Sequence, residues 1–374
     1  MADALDGDAS LLPVPDGDAV TETLLRDALR PGEPIDDTVA LVVATSGSTG
    51  TPKGAMLTAA ALRASATATH TRLGGPGSWL LALPPHHIAG LQVLLRALAA
   101  GNDPVILDVT TGFEPESLIT AIDAMPSGRR YTSLVPGQLA KVLDSAAATQ
   151  ALASMDAVLI GGAATPAALR ARAIEAGVTV VRTYGMSETC GGCVYDGVPL
   201  DGVEIVLDQP DADNAETKTD EIGRVRIGGA TVALGYRNQP EHPAFARLGW
   251  FRTDDLGTLA DGVLAIAGRA DEAISSGGLT VLPQIVEAEL TRLPEVAECA
   301  VFGLPHERLG QQIVAAVVAA SGQGVPSVDR LREALVDALP ATSIPRRLFA
   351  VDELPLRGPG KVDRRALVTR FSQV

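Results

Sequence analysis

A segment rich in glycine and hydroxyl side chains, placed directly after a continuous apolar run, constrains this chain more than any other feature. The run Val39–Ala44 is typical of a buried parallel strand, and residues 45–54 follow it as TSGSTGTPKG, ahead of a helical stretch that begins at Thr58. Glycines let the backbone approach a ligand, hydroxyls offer hydrogen bonds, and Lys53 adds a positive charge, all of which suit phosphate oxygens. The pattern predicts a phosphate-binding loop whose contacts come from Thr45, Ser46, Gly47, Ser48, Thr49, Gly50 and Lys53.

Two other interpretations of this loop are weaker. A Walker A loop requires the spacing G-x-x-x-x-G-K-[ST], which is absent here because Gly54 follows Lys53. A flexible surface loop would have a similar composition, but such loops rarely connect a buried strand to a helix. A general NTPase is disfavoured further because no Walker B strand end is evident.

The order of apolar patterns predicts an α/β protein with two domains. Up to about residue 183, short strands alternate with helices of about 10–15 residues, which indicates a mainly parallel sheet. From about residue 190 to 268 the strands are short and separated by Gly and Asp turns, which favours a small antiparallel β subdomain and a small barrel as its natural form. We therefore predict a large N-terminal domain over residues 1–270 and a smaller, mobile α+β C-terminal domain over residues 271–374.

Composition narrows the class of function. The 374 residues carry a formal net charge of −15, which argues against general nucleic-acid binding, since that requires a basic face. The N-terminal segment has neither a basic region nor a long apolar stretch, and no apolar run reaches the ~18 residues of a membrane-spanning helix. Together with only three cysteines, these features predict a cytoplasmic protein without a membrane span. We interpret the C-x-x-C of Cys190 and Cys193 as a turn, because no second pair or suitably spaced histidines follow it.

Six motifs occur in the order that is typical of one enzyme superfamily. Besides the loop, they are GGA at 161–163, TYGMSET at 183–189, FRTDDLG at 251–257, GRADEAISSGG at 268–278 and PGKVDRRAL at 359–367. From about residue 40 to 366 the chain thereby resembles the adenylate-forming superfamily of acyl-CoA synthetases, luciferases and peptide-synthetase adenylation domains. The resemblance implies an enzyme that activates a carboxylic acid as its adenylate and transfers the acyl group to a thiol, with ATP, Mg²⁺ and coenzyme A as ligands.

The resemblance also assigns the nucleotide site. Glu188 corresponds to the residue that binds Mg²⁺, a cation that prefers carboxylate oxygens. Thr189 corresponds to the residue whose hydroxyl contacts the α-phosphate, and Tyr184 with the GGA backbone corresponds to the walls that face adenine. Beyond the loop, nucleotide contacts are expected from Gly162, Ala163, Tyr184, Gly185, Thr189, Asp255 and Arg269.

The ribose assignment involves a departure from the usual family pattern. Asp255 and Arg269 resemble the pair that binds the sugar, since a carboxylate accepts both vicinal hydroxyls and an arginine donates to the same ring. The family usually has glycine where Asp254 stands, so the two adjacent acids compete for this role. We assign this role to Asp255 because of its sequence position directly before Leu256 and Gly257, and we interpret Asp254 as a solvated turn residue.

Lys361 is the predicted catalytic residue. Adenylation brings a substrate carboxylate onto the α-phosphorus, and a fixed ammonium between these two anions stabilises the charge of the transition state. Its setting between glycines near the C-terminus suits delivery by a mobile domain, and Asp271 matches the family's hinge residue. Nearby arginines, including Arg364, are interpreted as surface charges or as contacts for the phosphates of coenzyme A.

The acid pocket is expected beside the nucleotide. His87 of LPPHHIAG corresponds by register to the histidine that lines this pocket, in preference to His86, and its expected role is to orient the carboxylate or gate the pocket. Within the superfamily the compact chain and its TYGMSETCGG run resemble the short actinobacterial 2-succinylbenzoate-CoA ligases of menaquinone biosynthesis. That substrate has a second carboxylate whose cationic or amide partner the sequence does not locate. Substrate contacts are expected from His87, Gly161, Gly185, Met186 and Gly191.

Two alternatives stay open from the sequence. A stand-alone adenylation domain that loads a carrier protein would share every motif except the acceptor. A non-catalytic nucleotide-binding regulator would share the fold, although the retained Lys361 and Glu188 argue against it. The expected partners are the acid, ATP and coenzyme A, and a homodimer is compatible with this expectation.

Overall fold

A computed structural model describes residues 1–45, 51–208, 222–357 and 361–372. The chain divides into two compact units. The first comprises Met1–Val206, Val225–Thr253 and Leu259–Leu264, and the second comprises Leu207–Arg224, Asp254–Thr258 and Ala265–Val374. Within the described ranges, no helix is both long and apolar enough to cross a membrane. The domain boundary at residues 270 and 271 stays a prediction.

The strand that precedes the phosphate loop belongs to a hairpin. β1 (Val39–Thr45) pairs antiparallel with β2 (Lys53–Thr58), which places Thr45 opposite Lys53. The predicted parallel strand at Val39–Ala44 is therefore wrong in its pairing, because a continuous apolar run indicates burial but does not identify the partner. The flanking helices are α1 (Ala2–Asp6), α2 (Ala19–Leu29) and α3 (Ala59–Arg72).

A mostly parallel sheet forms the centre of the first unit. Its order is β4-β3-β5-β6-β7-β8-β9, with parallel pairing from β4 to β7 and antiparallel pairing beyond β7. Its strands are β3 (Ser78–Leu81), β4 (Val105–Ile106), β5 (Arg130–Leu134), β6 (Ala157–Ile160), β7 (Val180–Met186), β8 (Gly191–Tyr195) and β9 (Val198–Pro199). The helices between them are α4 (Ile88–Ala99), α5 (Pro115–Asp123), α6 (Pro136–Leu143), α7 (Ala146–Ala153) and α8 (Ala167–Glu175).

The apolar side chains of this sheet and its helices form one large core. Leu80, Leu134 and Val158 of the strands pack with Leu118 and Leu139 of the helices, and all five are almost fully buried. The alternation of short strands and helices thus gives the α/β architecture that the sequence predicts, since parallel strands need such crossovers.

A four-stranded sheet follows, in the order β10-β11-β12-β13. Asp261 and Gly262 join its last two strands in a tight turn, both with positive φ (50° and 77°), which matches a two-residue hairpin turn. The strands are β10 (Val203–Asp208), β11 (Gly223–Gly229), β12 (Trp250–Ala260) and β13 (Val263–Arg269).

The C-terminal part of the second unit is an α+β fold around a long hairpin. β14 (Ile274–Ser276), β15 (Leu279–Val281), β16 (Val296–His306), β17 (Gly310–Ala319) and β18 (Arg347–Ala350) form its sheet. Alternate residues of β16 face opposite cores, because successive strand side chains point to opposite faces: Val301 lies in one cluster, and Ala300 and Phe302 lie in the other. The helices are α9 (Pro283–Leu290), α10 (Val328–Leu335) and α11 (Arg364–Phe371), and a short hairpin is formed by β19 (Leu356–Arg357) and β20 (Lys361–Val362).

Candidate active site

The two ends of the phosphate loop are held where it joins β1 to β2, at the paired residues Thr45 and Lys53. Gly54 is buried, and a Cβ there would come within 2.7 Å of Leu29 and Val42, so the close packing of α2 against the hairpin requires glycine. The predicted loop contacts Ser46, Gly47, Ser48, Thr49 and Gly50 lie outside the described residues.

A segment over residues 233–239 is hydrogen-bonded to the hairpin just beyond the loop. The backbone N–H of Met56 donates to the carbonyl of Gly235 (2.9 Å), and that of Arg237 donates to Gly54 (2.8 Å). The Asn238 amide donates to the carbonyl of Pro52 (2.9 Å). The loop is thus anchored by a segment that lies almost 200 residues away along the chain. Sequence reasoning missed it, although a Gly-Tyr pair in a chain with few aromatic residues was a usable signal.

Glu188 lies at the end of β7, in a 3-10 turn over Ser187–Thr189. Its side chain is buried, and its Oε1 accepts a hydrogen bond from the Tyr236 hydroxyl at 2.6 Å. The ring of Tyr236 also lies under the Lys53 ammonium, which is 5.0 Å from the ring centroid. Lys53 Nζ is 3.0 Å from Nε2 of His242. Glu188 and Lys53, both predicted to handle the nucleotide phosphates, therefore contact one tyrosine.

The backbone around the TYGMSET motif is closely packed because its glycines carry no Cβ. A Cβ on Gly185 would overlap the carbonyl of Gly191 on the adjacent strand, and one on Gly161 would overlap the Thr183 hydroxyl. Gly162 has a φ of 83°, a conformation that favours glycine. In the first unit, neighbouring strand ends carry the predicted adenine walls, Gly161–Ala163 and Tyr184, and the predicted substrate contacts Gly185, Met186 and Gly191.

Thr189 is fully buried and its hydroxyl closes the turn after β7. The hydroxyl accepts from the N–H of Met186 (3.0 Å) and donates to the carbonyl of Gly191 (2.8 Å). A contact with the α-phosphate would therefore require this hydroxyl to exchange a hydrogen bond, and that predicted role stays a prediction.

Burial keeps the C-x-x-C thiols protonated. Burial raises the pKa of Cys190 far above its ordinary value and that of Cys193 to about 12. Within the described residues, no group of three or more His, Cys, Asp or Glu could hold a metal ion. Both thiols are fully buried; Cys190 directly follows the 3-10 turn, whereas Cys193 lies within β8, so the interpretation of the motif as a turn is wrong for Cys193.

His87 precedes α4 as its N-cap residue, and its ring is 4.2 Å from that of His86. From this point α4 carries two buried polar side chains, Gln92 and Arg96, one turn apart and 1% and 3% exposed. In the described part of the chain, both amide atoms of Gln92 lack a hydrogen-bond partner. A Cβ on Gly191 would come within 3.0 Å of Gln92 Cγ, so Gln92 lies directly beside the predicted acid pocket.

Arg96 is a buried cation whose contacts are neutral. Its Nη2 donates to the Tyr195 hydroxyl at 3.2 Å, and its guanidinium lies 5.1 Å from the centroid of the Trp79 ring. Burial lowers the pKa of Arg96. No carboxylate pairs with Arg96 among the residues that the structure describes, although a buried unpaired charge is costly. Sequence reasoning missed this pair, although two polar residues one turn apart in an otherwise apolar helix were a usable signal.

In the second unit, Asp255, Arg269 and Asp271 form a connected ion-pair cluster. Arg269 makes two hydrogen bonds of 2.9 Å to Asp271 and one of 3.3 Å to Asp255. Burial alone would lower the pKa of Arg269, but the hydrogen bonds and charges of Asp271 and Asp255 outweigh it and raise that pKa. The predicted ribose pair and the predicted hinge residue are thus in direct contact.

Asp254 and Asp255 point to opposite faces of β12. The Asp255 side chain is 11% exposed and that of Asp254 is 54% exposed, with Arg224 at 3.5 Å from the latter. This difference favours Asp255 for the ribose role, which stays a prediction. The interpretation of Asp254 as a turn residue is wrong, because Asp254 lies in the middle of β12.

Lys361 is exposed at the start of β20, opposite Arg357. Three residues later, Arg364 is largely buried and makes two hydrogen bonds to Glu287 (2.7 and 2.8 Å) and an ion pair with Glu272 (2.8 Å). The interpretation of Arg364 as a surface charge is therefore wrong, and its contact with coenzyme A stays a prediction. The residue fixes the lysine-bearing segment to α9 and to the stretch that follows Asp271.

The chain matches two family descriptions: AMP-binding enzyme over residues 5–237, and AMP-binding enzyme C-terminal domain over residues 285–361. The first of these covers more than half of the chain. The chain belongs to the AMP-binding enzyme family.

Relatives of this AMP-binding enzyme carry more specific names. It is 58% identical to a probable 2-succinylbenzoate–CoA ligase of Mycobacterium tuberculosis, over 98% of this chain and 92% of the relative. It is 32% identical to a 2-succinylbenzoate–CoA ligase of Geobacillus kaustophilus, over 98% of this chain and 76% of the relative. One similar solved structure is o-succinylbenzoate CoA synthetase (MenE) from Bacillus subtilis, in complex with the acyl-adenylate intermediate OSB-AMP. The TM-score is 0.74 and the sequence identity is 29%, over 88% of this chain and 69% of that chain.

The donor set of this AMP-binding enzyme fits a magnesium ion that arrives with ATP. Mg²⁺ usually keeps several waters and takes one or two carboxylates together with phosphate oxygens. Glu188 provides one buried carboxylate, held on one oxygen by Tyr236. The site thus suits a cation shared between protein and nucleotide.

Proposed function

We propose that this AMP-binding enzyme is an ATP-dependent acid–thiol ligase that converts 2-succinylbenzoate into 2-succinylbenzoyl-CoA, a step of menaquinone biosynthesis. The observation that carries the proposal is the 58% identity to a probable 2-succinylbenzoate–CoA ligase over 98% of the chain and 92% of the relative. We place the reaction in the cytoplasm, where ATP and coenzyme A are available.

The reaction has two half-reactions. In the first, a carboxylate oxygen of the acid forms a bond to the α-phosphorus of ATP, and the bond from that phosphorus to the pyrophosphate oxygen breaks. In the second, the sulfur of coenzyme A bonds to the acyl carbon, AMP leaves, and the thiol proton is released. A magnesium ion at Glu188 would neutralise phosphate charge in the first step.

Each of these steps is assigned to particular residues of the chain. The loop that Thr45 and Lys53 flank is proposed to hold the departing pyrophosphate, and Asp255 with Arg269 to hold the ribose. Lys361 is proposed to place its ammonium between the carboxylate and the α-phosphate, where preorganised charge lowers the barrier. His87 is proposed to orient the carboxylate.

Arg96 is the proposed partner of the second carboxylate of the acid. Its guanidinium is buried on α4, the helix that His87 begins, and no carboxylate pairs with it in the described residues. A bound dicarboxylic acid would supply the missing anion, and the neighbouring Gln92 amide could donate to the same group. A monocarboxylic acid would leave the cation unpaired, so the pocket favours a dicarboxylic substrate.

Replacement of Arg96 by methionine is expected to lower kcat/KM for 2-succinylbenzoate by about 30-fold, which corresponds to loss of one buried hydrogen bond to a charged group. The rate with an analogue that lacks the ring carboxylate should change little. The measurement is ATP- and coenzyme-A-dependent thioester, detected by mass, for both acids with both proteins.

The wild-type enzyme is the reference for this experiment. It should make the thioester of 2-succinylbenzoate and discriminate against the analogue. Equal losses for the two acids would exclude Arg96 as the carboxylate partner. Robust adenylate without thioester would refute the proposed acceptor and favour loading of a carrier protein instead.

A further inference from the structure

Tyr236 contacts Glu188 and Lys53, two charged side chains of the first unit that are predicted to handle the nucleotide phosphates. It lies in the segment that pairs with β2, and it forms an isolated antiparallel bridge with Ala55. The residue is 3% exposed. Its backbone is therefore fixed to the strand that follows the phosphate loop, and its side chain extends toward Glu188.

The hydroxyl of Tyr236 holds Glu188 in one orientation. At 2.6 Å, its hydrogen bond to Oε1 is in the range of charge-assisted O–H···O⁻ bonds, which are stronger than bonds between neutral groups. The backbone of the same glutamate is also tied to this segment, since the N–H of Ala233 donates to the Glu188 carbonyl at 2.9 Å. With Oε1 engaged, the direction of the second carboxylate oxygen is set as well.

The ring of Tyr236 is fixed from its sides. His242 and Phe245 pack against it edge to face, with centroid distances of 4.9 and 5.1 Å. Lys53 lies over the ring at 5.0 Å from the centroid, a cation–π geometry. The ring thus supports the loop lysine while the hydroxyl supports the glutamate.

We propose that Tyr236 is a positioning residue for the divalent cation that accompanies ATP, and that it acts by orienting the Glu188 carboxylate. The proposal rests on the proposed function only in taking ATP with Mg²⁺ as the ligand. Partners that orient a metal-binding carboxylate typically change metal affinity by about 10–100-fold when they are removed. A tyrosine that only fills space would have no such effect on the cation.

Tyr236→Phe separates these two roles, because it keeps the ring and removes only the hydroxyl. Binding of ATP is measured by calorimetry without acid, once in EDTA and once in excess Mg²⁺. The Kd in EDTA divided by the Kd in Mg²⁺ gives the contribution of the cation to ATP affinity. We expect this ratio to fall by about 10-fold in Tyr236→Phe. ATP affinity in EDTA should be unchanged.

Tyr131→Phe is the matched control. Tyr131 is also buried, and its hydroxyl donates to the carbonyls of Leu73 (3.1 Å) and Gly75 (3.0 Å), so its loss tests the general cost of a missing buried hydroxyl. This variant should keep the wild-type ratio. In a Glu188→Gln background, Tyr236→Phe should cause no additional loss, because it acts through that carboxylate.

An unchanged Mg²⁺ contribution in Tyr236→Phe would overturn the positioning role, and so would a further loss in the Glu188→Gln background. The outcome is separable from that of the proposed function. A protein that activates no acid, yet shows a Tyr236-dependent contribution of Mg²⁺, would refute the ligase and still support the role of Tyr236.

Discussion

Lys361→Ala is expected to slow adenylate formation by ~10²-fold or more, the effect of losing one preorganised charge-stabilising donor. Two anions meet in this half-reaction, and the ammonium is the group proposed to offset their repulsion. The measurement is acid-dependent exchange of pyrophosphate into ATP, which reports the first half-reaction alone. Binding of ATP in the absence of acid should change far less.

The second half-reaction provides the internal comparison for Lys361→Ala. When preformed adenylate is supplied with coenzyme A, thioester formation should be much less affected, because no phosphate–carboxylate bond is being made. Lys141→Ala is a matched control, since that lysine lies in α6 and donates to the carbonyl of Phe113 at 3.4 Å. Equal loss in both half-reactions would contradict the role of Lys361 and indicate misfolding or another function.

Arg364→Met is expected to destabilise the second unit by about 3 kcal/mol, because it leaves buried carboxylates without their cation. The Arg364 side chain is 17% exposed, and its partners Glu287 and Glu272 are 17% and 14% exposed. Arg330→Met is the matched control in the same unit, since its pair with Glu295 is more exposed and should contribute about 0–1 kcal/mol.

The loss of stability caused by Arg364→Met should depend on pH. Burial raises the pKa of Glu287, and the charge of Arg364 opposes that rise in the wild type. Without Arg364 the folded state binds a proton more tightly than the unfolded state, so the variant loses stability as pH rises. The deficit should therefore be larger at pH 8 than at pH 5. A deficit that grows toward acid would contradict this account.

Hydrogen exchange of the amides in β16 and α11 is the suitable measurement for Arg364→Met. The tryptophans of the chain, Trp79 and Trp250, lie in the first unit, so amide exchange is the more direct measurement on the second. Protection of these amides follows local stability directly.

Secondary-structure elements and motifs could be predicted from the sequence better than the strands and side chains that contact each other across the fold. The alternation of apolar strands and helices was sufficient for the α/β class, because crossover connections dictate parallel pairing. For Val39–Ala44 the same signal failed, since the partner strand lies beyond the loop in an antiparallel hairpin. Pairing is a long-range property that a local apolar run does not contain.

Asp254 and Asp255 show a signal that could have been used more fully. Phe251, Thr253 and Asp255 share the buried face of β12, while Asp254 faces outward, as the two-residue period of a strand requires. That period alone favours Asp255, without any reference to a family.

The partners of Tyr236 and Arg96 could not have been predicted from the sequence. Tyr236 meets Glu188 across 48 residues and Arg96 meets Tyr195 across 99, and neither spacing follows a local rule. Such side chains are found only when the fold brings distant segments together. The catalytic motifs, in contrast, are short contiguous runs whose residue types already indicate their chemistry.

The fate of the carboxylate oxygen tests the acyl-adenylate mechanism most directly. When the acid is labelled with ¹⁸O in both oxygens of the carboxylate that is activated, and ATP, Mg²⁺ and coenzyme A are supplied, mass spectrometry should find one labelled oxygen in the phosphate of AMP and the other in the thioester. Unlabelled AMP, or ADP and labelled inorganic phosphate as products, would contradict the mechanism.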